Sequence, residues 1–263
     1  MNTMFAMIAA GLYFLAAFVL MGRFVHKEGP NQRLATIMAI IAVLAHVGFL
    51  SGAIMIAPGQ NMSITNVLSL VSWLITVSML LSASVLPNTI LLPVVYGFAG
   101  LTVLAARFIP VSYIMHIELE PGLVIHITLS LVAYGLLVIA FLYAIQMSYI
   151  THKLKQKGAS LLHSSLPPLM LVEGILFKLL LAGTLFLVVS LISGFVFLEN
   201  MFSSLYAHKT ILSLAALAVY VVLLIGQRIR GWRGKQVIAM TILGVLLLSL
   251  AYFGSRFVRE ILL

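Results

Sequence analysis

Apolar residues run through this chain in long unbroken stretches, and polar residues gather in the short segments between them. Each stretch is about as long as the 20 residues a helix needs to cross hydrocarbon. A membrane β-strand would instead alternate over roughly ten residues. Backbone polar groups in lipid must be paired internally, so these continuous runs predict helices. The pattern predicts an all-α, polytopic membrane protein with eight transmembrane helices, over about 4–22, 34–57, 62–83, 88–106, 122–147, 174–197, 210–226 and 236–254. Turn and breaker residues mark the gaps, among them Gly29-Pro30-Asn31, Pro58-Gly59, Pro87-Asn88, Pro110, Pro121-Gly122, Pro167-Pro168 and Gly231-Trp232-Arg233-Gly234. The whole of 1–263 reads as one transmembrane domain.

Composition agrees. The chain is 63% hydrophobic and 8% charged, against roughly 25% charged residues in soluble proteins. There is no Cys and no Asp. That excludes disulfides, thiolate metal sites and a Ser-His-Asp triad. No Glu lies in mid-span, which argues against a proton- or sodium-coupled transporter.

Charge then sets a direction. Arg23, Lys27 and Arg33, then Lys153, Lys155 and Lys157, then Arg228, Arg230, Arg233 and Lys235 all fall in loops on one side. Arg107, Lys209, Arg256 and Arg259 fall on the other. The positive-inside rule makes the first set cytoplasmic and puts both termini outside. The first run has no basic residue before it and basic residues after it, the reverse of a signal peptide, so it is expected to be a retained helix. The net charge of +9 is thus an orientation signal, and no nucleic-acid partner is expected.

Histidine inside such runs carries the candidate chemistry. An ionisable ring in a membrane span marks a functional site by default, and neutral imidazole can ligate a metal. His126 shares a helix face with Ser130, Ala133 and Tyr134. It is either a metal ligand or a hydrogen-bond donor to a neighbouring carbonyl. His208, at the start of span seven, is either a second ligand opposite His126 or an interfacial anchor beside Lys209. His46, on a small-residue face of span two, is either a second-site ligand or structural, bonded to a carbonyl or to a polar residue of span three. Trp73 lies on the stripe Asn66, Ser69, Trp73 and Thr76, where it either packs between helices or stacks on a flat ring. His116, Glu118 and Glu120 form either a metal or partner surface or solvated loop charges. The stretch around Tyr113 is expected to form a short ribbon or turn over the outer mouth. His26, His152 and His163 are given no role.

Four short segments resemble a known family: Ile125-His126 with Leu129-Ser130 and Ala133-Tyr134; Leu191-Ile192-Ser193-Gly194; Gly231-Trp232-Arg233-Gly234; and Ala251-Tyr252-Phe253-Gly254. In this order they resemble the CcsA/ResC-type cytochrome c assembly membrane proteins, and in particular the short YpjD-type and HemX-type inner-membrane proteins. The resemblance implies a bacterial inner membrane, haem handling at the outer face, and His126 as a haem ligand. The chain departs from the family pattern at Leu198–Lys209, which lacks the Trp and Asp of the family's outer loop, and at Gly226-Gln227, where the family has a late ligand. The expectation is a haem b-binding accessory protein without turnover. Its iron would sit between His126 and His208, with Tyr134 and Trp73 lining the slot. His116 and His46 are alternative ligands, and Arg107 or Lys209 would meet propionates. Haem and cytochrome assembly proteins or other inner-membrane proteins are the expected partners. The alternative is a regulatory or scaffolding subunit with structural histidines.

Overall fold

Runs rich in Leu, Ile, Val and Ala fold into helices because, away from water, the helix satisfies every backbone group within its own segment. The computed structural model describes residues 1–22, 30–56, 59–83, 86, 88–109, 111–116, 120–155, 167–197 and 207–257. The helices are α1 (Asn2–Gly22), α2 (Gln32–Ile54), α3 (Ile64–Ser82), α4 (Leu92–Phe108), α5 (Pro121–Lys155), α6 (Leu169–Phe197), α7 (Ala207–Arg230) and α8 (Lys235–Ser249). A π-helical turn, Leu250–Gly254, extends α8. Among the described residues seven helices are long and apolar enough to cross a membrane; α4, also apolar, has 17 residues.

Several boundaries differ from the sequence reading, α6 for one beginning at Leu169, five residues before the expected 174. The run expected to end near residue 57 stops being helical at Ile54, and Met55–Ile56 (β1) pairs antiparallel with Gly59–Asn61 (β2). The fourth run was expected to begin at Asn88, but α4 begins at Leu92. The buried Asn88 instead donates from Nδ2 to the Met79 carbonyl at 2.7 Å and to Ser82 Oγ, holding the end of α3. Helix α5 continues to Lys155, eight residues beyond the apolar run. The ribbon expected near Tyr113 is present as Ile114–Met115 (β3), which pairs antiparallel with β2.

The chain divides into two compact units. The first holds α1 to α4 and the small sheet. Its helices close a ring, each packed on the next and α4 packed back on α1. Alanines line the buried sides of both helices: Ala6, Ala9, Ala10 and Ala16 in α1, and Ala35, Ala39 and Ala42 in α2. Small residues let membrane helices approach and gain van der Waals contact. The second unit holds α5 to α8, again a ring in which α5 packs on α6 and α8, and α7 on α6 and α8. Gly183 sits against Leu137, and Gly244 against Tyr220, where a Cβ would collide with the side chain opposite.

Candidate functional site

In the second unit the first turns of α5 lie against the last turns of α6. Gly122 abuts Phe197, and His126 abuts Ser190 and Ser193. Helix α7 packs antiparallel on α8, with Tyr220 against Gly244, and the last turns of α8 meet α5 through Ser249 and Tyr134, so His208, in the first turn of α7, belongs to the end of the unit that carries His126.

His126 is half-buried, and its Nδ1 lies 3.0 Å from the Ser190 carbonyl oxygen and 3.2 Å from Ser193 Oγ. A carbonyl only accepts, so Nδ1 carries the proton and donates it. Ser193 already donates its own hydroxyl to the Ser190 carbonyl at 2.7 Å, which leaves Ser193 Oγ to accept from Nδ1 as well. In the neutral ring the lone pair then sits on Nε2, which makes no hydrogen bond to a described residue. A metal-ligating histidine is held in this manner, one ring N–H on a carbonyl and the other nitrogen free to bind. His208 is half-buried, while its Nε2 is buried with no hydrogen-bond partner among the described residues.

Below them, Ser130 and Ser190 join their hydroxyls across α5 and α6. Tyr134 donates or accepts with Ser249 Oγ at 2.8 Å, and its ring meets Tyr252 at 5.2 Å and Phe253 at 5.7 Å between centroids. The π-helical turn supplies both partners, a local widening of the helix that re-aims side chains and is frequent at functional positions. At the opposite end Trp232 covers Gly226, and Arg233 Nε reaches Glu173 Oε2 at 3.9 Å. All four sequence segments that carried the family resemblance therefore fall in this one unit.

The other candidates lie in the first unit. His46 is fully buried: Nδ1 meets Tyr13 Oη at 3.3 Å and Nε2 meets Ser69 Oγ at 2.9 Å. Both nitrogens are engaged. Trp73 donates from Nε1 to the Val43 carbonyl at 3.0 Å. His116 follows β3 and approaches Gly59. Glu118, His26, His163 and the loop 198–206 lie outside the described residues. Thus His126, His208 and Tyr134 share one unit, and His46, Trp73 and His116 share the other. Sequence reasoning missed Ser190, Ser193 and Tyr13, the partners of the two intramembrane histidines. It also missed Lys178, an exposed cation inside the sixth run.

The family model described as cytochrome C assembly protein matches residues 34–263. The chain belongs to the cytochrome c assembly protein family. It is 38% identical over 260 residues to inner membrane protein YpjD of Escherichia coli K12, covering 98% of each chain. It is also 33% identical over 147 residues, 54% of each chain, to an uncharacterized 28.8 kDa protein of Azospirillum brasilense. No solved structure matches at a significant level. This member of the family is a multi-pass inner-membrane protein.

Proposed function

We propose that this chain is an accessory protein of cytochrome c assembly that binds haem b in its second four-helix unit. His126, through Nε2, and His208 would hold the haem iron. The observation that carries the reading is the Nδ1–H of His126 committed to the Ser190 carbonyl at 3.0 Å, which leaves Nε2 as the ring's available lone pair. The buried Nε2 of His208 at the same end, without a hydrogen-bond partner among the described residues, supports it. Two neutral imidazoles suit low-spin haem iron, which when bound supplies one-electron chemistry. The residues fit that group: they offer two nitrogen donors without burying a charge. Tyr134 and its aromatic partners from α8 would form an apolar wall beneath, and Lys209 would meet a propionate.

The topology belongs to the same proposal. Helix α4, at 17 residues and a rise of about 1.5 Å per residue, is roughly 26 Å long, near the lower limit for a span. It completes the ring of the first unit and is the eighth span, which returns both termini to the outer side. Family membership supports haem and cytochrome assembly proteins as partners.

The test is a visible spectrum of the full-length protein, purified in detergent after haem supply. A Soret band and sharp reduced bands are expected, with His126→Ala losing them and His208→Ala losing the low-spin form. A folded, colourless wild-type protein would refute the proposal and leave the scaffolding alternative, to which the doubly bonded His46 already conforms.

A further inference from the structure

The first unit contains a cavity of about 340 Å³ at the end where α1 begins, within the size range of small-ligand sites. Its lining has polar side chains, Asn2 and Thr3 from α1, Asn61 from β2, Asn66 from α3 and Arg107 from α4, together with apolar ones that include Phe49. Arg107 donates from both Nε and Nη2 to Thr3 Oγ1, at 3.0 and 2.7 Å. That fixes one edge of the guanidinium and leaves the other, Nη1 with the second Nη2 hydrogen, without a described protein partner. Among the described residues no carboxylate pairs with Arg107; the acids of this unit, Glu28, Glu118 and Glu260, lie outside the described residues. The buried Asn61 and Asn66 also line the cavity, with Asn66 Nδ2 already donating to the Ala53 and Asn61 carbonyls at 3.3 and 3.0 Å.

We infer that this cavity binds an oxyanion, a carboxylate or a phosphate, carried on an apolar body. The free edge of Arg107 takes the two oxygens side by side, the geometry in which guanidinium exceeds ammonium. Phe49 and its neighbours take the body. The ligand is either a soluble amphiphile or the headgroup of a lipid. The site is independent of the haem proposal, because it lies wholly in the other unit.

The test uses haem-free full-length protein in phosphatidylcholine nanodiscs, so its failure is distinct from failure of haem binding. Thermal midpoints are measured at constant ionic strength with hexanoate or hexyl phosphate in the buffer, hexanol as the neutral control, and in separate discs containing phosphatidylglycerol. A probe at a hundredfold excess over its Kd is expected to raise the midpoint by about 5 °C or more. The arm that responds identifies the source, soluble or lipid. Arg107→Gln, which removes the charge, and Ala106→Leu, which fills the cavity and keeps Arg107, are each expected to weaken the response at least tenfold. No rise beyond the hexanol control in any arm overturns the inference. A rise that survives either substitution overturns it too, since the anion would then sit elsewhere on the surface.

Discussion

Ser69→Ala isolates the shorter of the two bonds that hold His46. The ring is fully buried, with Ser69 Oγ 2.9 Å from Nε2 and Tyr13 Oη 3.3 Å from Nδ1. Removing the serine hydroxyl leaves Nε2 buried without a partner, a defect of about 1–3 kcal/mol. Tyr13→Phe deletes the longer, weaker bond. It keeps the edge contact of ring 13 with His46 at 5.7 Å and its stack on Tyr96 at 6.1 Å, so it should cost less. His46→Ala strands two hydroxyls and opens a void, and about 2–5 kcal/mol is expected by analogy with large-to-small core changes. The pairwise term comes from the Ser69→Ala/His46→Ala cycle. Interhelical bonds in membranes couple by about 0.6 kcal/mol on average and up to about 1.7. The bond to Ser69 is short and enclosed, so the upper half of that range is expected. Reversible unfolding in mixed micelles reads all four proteins. Coupling below about 0.3 kcal/mol, or Tyr13→Phe costing more than Ser69→Ala, would refute the geometry. Haem loss in His46→Ala without coupling to Ser69 would turn His46 from a bonded strut into a ligand.

Other outcomes follow from single contacts. Gly244→Ala would place a Cβ inside the Tyr220 ring, 2.7 Å from Cε1; overpacking of this kind costs about 1–3 kcal/mol, and a lowered midpoint for α7–α8 unfolding checks it. Arg233→Gln breaks a 3.9 Å contact whose arginine is 62% exposed, so the midpoint should move by less than about 1 kcal/mol equivalent; a larger fall would mean the pair is held more tightly than its geometry implies. Ser193→Ala removes one of the two acceptors that orient His126. Haem affinity should drop by about tenfold, the low end for loss of a supporting partner, read by haem titration with the low-spin bands retained.

The sequence exposed the helices because lipid imposes one pattern on every span, and it exposed the His126 face because 3.6-residue spacing stacks Ser130, Ala133 and Tyr134 beneath the ring. What it hid has two physical sources. The first is that a partner can be a main-chain atom. Every residue has a carbonyl, so no letter marks Ser190 as the acceptor for His126. The second is distance along the chain. Tyr13 and His46 are 33 residues apart, and Ser69 a further 23, so their meeting depends on how the ring of helices closes. Asn88 misled for a third reason: in a row of apolar residues it reads as the start of a helix, yet its amide prefers to hydrogen-bond backbone beyond the end of the preceding one. The long α5 was legible only in part. The polar residues of 148–155 read either as part of a basic connector or as an extension of the fifth helix, and since nothing in them breaks a helix already running, α5 continues through them.

The two intramembrane histidines show how partner chemistry, more than burial or depth, decides what a ring can do. A hydroxyl both donates and accepts. Placed on each side of His46, Tyr13 and Ser69 can satisfy either tautomer, so both nitrogens are consumed whichever carries the proton. A carbonyl only accepts. Against the Ser190 carbonyl, His126 must keep its proton on Nδ1, and the Ser193 hydroxyl, already donated to that same carbonyl, reinforces the choice instead of opposing it. The consequence is a fixed tautomer with the lone pair directed away from α6. Replacing the carbonyl by a freely rotating hydroxyl would let the ring flip its tautomer and spend Nε2 elsewhere. The proposed ligand role of His126 therefore depends less on the histidine itself than on the last turns of α6, which hold a main-chain oxygen in line with Nδ1.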